Sequence, residues 1–548
     1  MKKIARILLI TTIAACFTIA LAACGGKGKD IPVTKIVLSA DKTTAVAGED
    51  TVELSVASCE PDSANAFAHA NASVNSITYS PQCIRAFLTV RITYLFRENE
   101  IGAGFFFNSY IHDNHKADYE LTVNDIEDGM DNLNRLLSKK FEPAKLSCGN
   151  PGTVKVYAVA SIHSSNFTDD AYLSVESDDL TITFTANEIR TADGLKEMAS
   201  KPTSAYVLMN DIDLEGEPWT PIPEFTGYFD GQGHTINNLK VSVYSYNAEA
   251  GLFAVLKDKA AVKNLNLENV DVFGSIVGAV AGNVNGLNGY VEKGYSVVIS
   301  GCEVKSGRVQ GTRCAGGIAG KISDTVIENC KNSAEVSGRN GVGGIIGDFG
   351  RYGSIISCTN DGNIFGMDNV GGIIGGIPEL LSHGTICALL NNGSVNGVNN
   401  VGGIVGYVGE YRYSEDNAVV DLKNTGSVTA AQDYAGGIIG RLDGFTGRQL
   451  STTSSTSVRL VYSFLNNSGE INGGDYVGGI FGAIRGDVDH GEYPRGTYTI
   501  SVEQAVNDGT VYGNNHVGEI CGYAVADGVS TIDKHWNRYT FSLSIIGI

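Results

Sequence analysis

Asp211, Asp213, Asp230 and His234 fall within one short stretch, and three carboxylates beside an imidazole are the ingredients of general acid–base catalysis. A carbohydrate lyase or hydrolase needs such groups paired in a groove, or a base beside a cation. No similar cluster recurs further along the chain. His112, His115 and Glu120 in IHDNHKADYE have metal-ligand types but no helical HExxH spacing, in a polar segment that reads as a solvated loop. The eleven cysteines include no CxxC pair, so neither a metal nor another cofactor is expected. Cys302, Cys330, Cys358 and Cys387 recur at nearly equivalent places and are expected to stack as small buried side chains. Cys59, Cys83 and Cys148 stand outside that pattern.

One cysteine has a different chemistry. Lys2, Lys3 and Arg6 precede an apolar run from Ile7 to Leu21, and the segment closes on Leu-Ala-Ala-Cys at Leu21 to Cys24. That pattern is an export signal, and its ending resembles the bacterial lipobox. The resemblance implies cleavage after residue 23, lipidation of Cys24, a tether over residues 24–30 and membrane lipid as a partner. The formal charge is -20, and loss of the three signal-peptide cations makes it about -23. An acidic chain without a clustered basic surface is not expected to bind nucleic acid.

The elements that must position any site follow two grammars. Residues 31–178 read as short strands of alternating polarity, as in VTKIVLSADKTTAVAGEDTVELSV and GTVKVYAVASI. These two ends resemble a bacterial immunoglobulin-like β-sandwich. Between them, VNDIEDGMDNLNRLLSKKF places Val123, Ile126, Met130, Leu133, Leu137 and Phe141 at helical spacing, so a helical insertion is expected.

From residue 179 to 548 a glycine-rich hexamer recurs nine times, from AGLFA at 250–254 through VGGIIG at 342–347 and 370–375 to VGEICG at 517–522. A companion motif, for example NSAEVSG from Asn332 or NDGNIFG from Asn360, begins 15 residues before the last hexamer glycine in most copies and 16 before it in the copy from Asn424. The other half of the repeat varies widely in length. Stacked strands must keep their length, because a one-residue slip turns side chains to the wrong face, whereas loops leaving a corner can grow cheaply. The smallest repeats, 27 and 28 residues, suit one coil of three short strands and contain no helical period. The fold class is therefore all-β: a right-handed parallel β-helix, a solenoid, preceded by the sandwich. The hexamer is read as strand and corner, since a phosphate-cradling loop would need a following helix. Asn-Gly and Asp-Gly pairs are expected to turn the chain and to stack as amide ladders.

The hexamers, their companions and the lead-in YVLMNDIDL…FTGYFDGQGHTINNL resemble the GLUG-motif β-helices of bacterial surface proteins, including regions beside the protease domain of immunoglobulin A metallopeptidases. The resemblance covers about Ile189 to the C-terminus and implies a surface-exposed stalk or adhesin-like module, in whose entry coil Asp211, Asp213, Asp230 and His234 serve tight turns and are structural. It implies no peptidase activity, because HExxH is absent.

The longest insertions, YVGEYRYSED, RLDGFTGRQL and AIRGDVDHGEYPRGTY, are the places to look for binding. Tyr411, Tyr413, Phe445, Tyr493 and Tyr498 could make an aromatic strip for a glycan or a host or bacterial surface protein, and Arg485, Gly486 and Asp487 spell the tripeptide that integrins recognise. The expected function is non-enzymatic binding at the cell envelope, by a protein held there through Cys24. A polysaccharide-degrading enzyme and a passive stalk stay open as alternatives.

Overall fold

The computed structural model describes residues 33–61, 88–96, 105–107, 116–123, 144–164, 173–286, 297–350, 352–380, 384–411, 418–443, 458–486, 496–526 and 540–547. The chain divides into two compact units between Ala186 and Asn187.

The N-terminal unit contains two sheets. One has the order Val33–Ala40, Thr51–Pro61, Ala144–Cys148, Phe105–Phe107; the other runs Thr44–Val46, Leu180–Thr185, Gly152–Ser164, Leu88–Phe96, Lys116–Val123, with Leu173–Glu176 also on Gly152–Ser164. All pairings are antiparallel except Thr44–Val46 with Leu180–Thr185. Alternation decides which residues go inside: Val52, Leu54, Leu146, Val154, Val156, Ile182 and Phe184 are buried. Leu180–Thr185 lies in the span expected of the β-helix, yet belongs here, because its antiparallel partner is Gly152–Ser164. Of the expected helical insertion, Val123 ends a strand and the rest lies outside the described residues.

The C-terminal unit is a parallel β-helix. It opens with the strand Asn187–Ile189 and a short helix, Ala192–Glu197, capped by Thr191, whose side chain accepts from Gly194 N at 3.2 Å. Each coil then lays one strand, sometimes split in two, on a first wall, one or two on a second and one on a third. Every wall stacks like on like. On the first, Ile299, Ile327, Ile355 and Ile386 lie in register and Val419 continues the row. On the second, Val309, Val336, Ile364, Val395, Val428 and Ile471 do the same. All of these are buried, and each such side chain contributes about 1.5–3 kcal/mol. The third wall has ten strands, one more than the hexamers announce, because the lead-in strand Ile222–Phe225 stacks beneath Phe253–Asp258.

The hexamer straddles the corner between second and third walls. In VGGIIG, Val342 and Gly343 end the strand Asn340–Gly343, Gly344 and Ile345 turn, and Ile346 and Gly347 begin Ile346–Phe349. Glycine is required at the turn because a Cβ on Gly344 would overlap the carbonyl of Gly372 and the Asn360 amide in the next coil.

The companion motif turns the chain from first wall to second around a buried amide column. Asn332 Nδ2 donates to Asn360 Oδ1 at 2.9 Å; the same bond joins Asn360 to Asn391, Asn391 to Asn424 and Asn424 to Asn467 at 2.8 Å, and Asn467 to Asn507 at 2.7 Å. Each Nδ2 also donates to the carbonyl two residues on, as Asn391 does to Gly393 O at 2.8 Å. Next to it run Cys302, Cys330 and Cys358, buried free thiols. Burial and the neighbouring Cys302 and Cys358 hold the Cys330 thiol well above its ordinary range. Cys387 does not continue that row. It pairs with Ile356, and Leu389, two residues before Asn391, takes the buried rung instead.

Between the last parallel coil and the end of the described residues, Thr540–Gly547 pairs antiparallel with Gly496–Asn507.

Candidate functional site

The lead-in aspartates are occupied by turns. Asp211 Oδ1 accepts from Thr235 N at 2.8 Å and lies 3.2 Å from His234 Nδ1, and the Thr235 bond holds its carboxyl below the usual range. Asp213 Oδ1 accepts from Asn238 Nδ2 and Glu215 N, both at 2.7 Å, which lowers it likewise. Asp230 Oδ1 accepts from Gln232 N at 2.9 Å and Asn264 Nδ2 at 3.1 Å. The lowered carboxylates of Asp211 and Asp213 are good acceptors and poor bases. His112 and His115 lie outside the described residues, and Glu120 is on Lys116–Val123 opposite Arg91.

Of the binding residues expected from sequence, Cys24, Tyr413, Phe445, Tyr493 and Asp487 lie outside the described residues. Tyr411 and Tyr498 are strand residues, on Val405–Tyr411 and Gly496–Asn507. Arg485 is half-buried and in register with Asp443 and Val525 on the third wall. The three long insertions nevertheless share one origin. Val405–Tyr411, Ile439–Asp443 and Phe481–Gly486 all leave the third wall, and Ala418–Asn424, Val458–Asn467 and Gly496–Asn507 all resume on the first. The insertions therefore spring from the same corner of successive coils.

A second feature lies at the opposite corner, where the hexamers turn. The residue just before each of the last six hexamers takes a left-handed conformation: Gly341 (φ 61), Asn369 (55), Asn400 (53), Tyr434 (65), Tyr476 (61) and His516 (53). Glycine and asparagine adopt it readily; tyrosine and histidine do so less easily. The three rings stack along the solenoid, Tyr434 on Tyr476 and Tyr476 on His516, each at 4.8 Å between centroids with planes 9° and 10° apart. That distance is the spacing of neighbouring strands.

Facing them from the third wall are Tyr407, Arg441 and Tyr523, at equivalent register positions. Tyr523 meets Tyr476 and His516 edge-on, each at 5.0 Å. The Arg441 guanidinium lies 5.2 Å from the Tyr434 ring and 5.7 Å from that of Tyr407, and donates to both Asp443 oxygens at 2.8 and 2.6 Å. Tyr407 OH bonds the same carboxylate at 3.1 Å. Below the stack, Asn400 Nδ2 donates to Asn369 Oδ1 at 2.9 Å, while the buried Asn400 Oδ1 has no hydrogen-bond partner among the described residues.

Toward the N-terminal end of the same third-wall register row stand Asp348 and Lys321. Asp348 lies 4.0 Å from Lys321 Nζ, and burial raises its carboxyl above the ordinary value against the pull of Lys321 and Arg313. Cys314 is pushed up to about 11, first by burial and then by Asp348. Arg313 donates to Asn247. Among the described residues no three His, Cys, Asp or Glu side chains gather as a metal site.

Sequence reasoning missed the ring column. Its signal was present in the letter before each of the last five hexamers, which reads Asn, Asn, Tyr, Tyr, His over successive coils.

No family model matches the chain. Halomucin of Haloquadratum walsbyi (strain DSM 16790 / HBSQ001) is 38% identical over 87 residues, which is 14% of this chain and 1% of halomucin. The chain thus spans about one hundredth of that relative's length. Among solved structures, one from Bacteroides ovatus, described as a candidate immunoglobulin A1 protease, aligns with 62% of this chain and 84% of its own at 19% identity and a TM-score of 0.33. A likeness that distant transfers neither activity nor substrate.

Proposed function

We propose that this chain is a bacterial cell-envelope protein, exported and lipid-anchored through Cys24, in which a GLUG-type β-helix displays non-enzymatic binding loops for a glycan or surface-protein ligand. The N-terminal unit, in this reading, is an immunoglobulin-like spacer. The observation that carries the proposal is the division of labour within each coil. Amide column, second wall and hexamer corner keep a 15-residue interval in every copy but the one from Asn424, which has 16, while insertions of different length leave from one corner of successive coils. A scaffold that fixes everything except one row of loops suits recognition, since variable loops on a rigid support can change ligand without disturbing the core. The aspartates in the lead-in support the non-enzymatic reading, because turn hydrogen bonds already engage them.

The test uses the full-length protein and a variant whose segments 412–417, 444–457 and 487–495 are shortened to minimal turns, both probed on glycan and host-matrix arrays. Binding that disappears with the shortened loops supports the proposal. A folded protein that binds nothing favours a passive stalk, and turnover of an oligosaccharide favours an enzyme. The anchor is tested separately by metabolic labelling with a radioactive fatty acid, which Cys24→Ala is expected to abolish.

A further inference from the structure

The buried thiols beside the amide column stand one coil apart and point the same way. Lys331 N donates to Cys302 O at 2.9 Å and Thr359 N to Cys330 O at 3.0 Å, so Cys302, Cys330 and Cys358 hold one position in three successive coils. Each sulfur lies within weak hydrogen-bonding reach of two carbonyls, one two residues earlier and one in the preceding coil. For Cys302 these are Ser300 O at 3.6 Å and Val262 O at 3.7 Å; for Cys330, Glu328 O at 3.3 Å and Ile299 O at 3.6 Å; for Cys358, Ile356 O at 3.4 Å and Ile327 O at 3.9 Å. Val262, Ile299 and Ile327 are themselves one register row. Like surroundings in each coil set successive sulfurs apart by the strand spacing, about 4.8 Å.

That spacing decides what can join them. A disulfide needs Cβ atoms about 3.5–4.5 Å apart and sulfurs about 2.05 Å apart, closer than parallel side chains of stacked coils stand. Two metal–sulfur bonds of about 2.3 Å laid end to end span about 4.6 Å. An ion midway between two of these sulfurs thus asks little movement of either coil. The surroundings select the ion. Leu265 and Leu389 bound the row on its two sides, and all three thiols are at most 1% exposed. Among the described residues no group of three His, Cys, Asp or Glu gathers as a metal site, so two sulfurs are the whole ligand set. Zinc, which takes four ligands, is left incomplete there. Soft sulfur ligands favour copper(I), and monovalent copper and silver accept two ligands in a line.

We propose that Cys330, together with Cys302 or Cys358, binds one soft monovalent metal ion, copper(I) or silver(I), between adjacent coils in linear two-sulfur coordination. The ion enters as one thiol proton leaves to solvent; it is held by the resulting thiolate and by a lone pair on the neighbouring thiol. No electron is transferred, and the core gains no net charge, which an apolar interior disfavours. Cys330 belongs to both pairs, so the row is filled by one ion. No CxxC spacing announces the site, because its ligands lie a whole coil, 28 residues, apart. Entry requires transient opening of the buried coil, so uptake is slow.

The experiment uses reduced full-length protein whose accessible thiols have been alkylated with iodoacetamide under native conditions. It is incubated for hours with silver nitrate in chloride-free buffer or, without oxygen, with the copper(I) bicinchoninate complex, then desalted. Retained metal is counted by mass spectrometry of the elements, and its neighbours are read by X-ray absorption. Expected is one ion per chain more than Cys330→Val retains, with two sulfur neighbours, a raised melting temperature, and no retained zinc. Cys302→Val and Cys358→Val should each keep the ion, since either leaves Cys330 one partner; the double variant should lose it, an outcome that holds even where Cys330→Val fails to fold. The proposal is overturned by a folded protein that retains no silver or copper, by equal retention in Cys330→Val or in the double variant, or by three or more ligands in the absorption spectrum. A disulfide among Cys302, Cys330 and Cys358 in peptides of the unreduced protein would overturn it too.

Discussion

Asn391 Nδ2 donates to Asn424 Oδ1 at 2.8 Å, from one coil to the next, with both residues fully buried. Asn391 is also the acceptor for Asn360 and the donor to Gly393 O. Replacing it with alanine leaves the Asn360 amide short of an acceptor and removes two donated bonds. A buried polar group deprived of its partner costs about 1–3 kcal/mol. Asn391→Ala is expected to lower stability by about 3 kcal/mol, read as a lower urea midpoint; a loss no greater than that of an exposed control, Asn392→Ala, would show that the column contributes little.

The thiol row makes a prediction about reactivity. Cys330 is buried between Cys302 and Cys358 with its ionisation strongly suppressed, whereas Cys387, off the row, is half-exposed. The thiolate is the reactive form. Pulse labelling with iodoacetamide at pH 8, resolved by peptide mass spectrometry, should modify Cys387 well before Cys330, and Cys330 only after denaturation. Equal rates would contradict the burial.

A second left-handed column runs along the first wall, through Asn329 (φ 53), Ser357 (54), Ala388 (55), Asp421 (59) and Phe464 (57). Phe464 is the misfit, a bulky side chain that is 54% exposed. Phe464→Asn puts a residue tolerant of this backbone where burial gives phenylalanine little return. The melting temperature should rise, by an amount equivalent to about 0.5–1 kcal/mol; a fall would mean that the ring packs against something that matters.

Asp348 gives a pH-dependent prediction. Its folded-state carboxyl is raised above the ordinary value of 3.8 by burial, so the folded protein holds the proton more tightly than the unfolded chain does. Ionisation therefore costs stability above the folded value, and that cost vanishes below 3.8. Asp348→Asn should raise the melting temperature at pH 7 and change it little at pH 3. A variant less stable at pH 7 would indicate that the attraction of Lys321 and Arg313 outweighs desolvation.

Much of the β-helix was legible because stacked strands enforce periodicity on the letters themselves. The 15-residue interval from Asn332 to Gly347, repeated from Asn360 to Gly375 and one residue longer from Asn424 to Gly440, marks the part of each coil that varies least in length, and the amide column lies within it. Legibility failed where equivalence had to be counted from the right landmark. Cys330 and Cys358 stand two residues before their asparagines, Cys387 stands four before Asn391, and the buried rung follows the count rather than the residue type. The ring column failed for another reason. Tyr434 and Tyr476 lie 42 residues apart in sequence because an insertion separates them, and only the register shows that they are neighbours. The strand Leu180–Thr185 looks no different in its letters from one of the solenoid; its antiparallel partner places it elsewhere.

The amide column also has a direction. Every rung from Asn332 to Asn467 gives its proton toward the C-terminal side, and every rung from Asn360 to Asn507 receives from the N-terminal side, so the solenoid is polar along its axis in the way a row of head-to-tail dipoles is. A whole coil spliced in or removed between two rungs restores the same donor facing the same acceptor. Such a chain can lengthen or shorten by complete coils at little cost, and the one extra residue between Asn424 and Gly440 leaves the bonds to and from Asn424 intact.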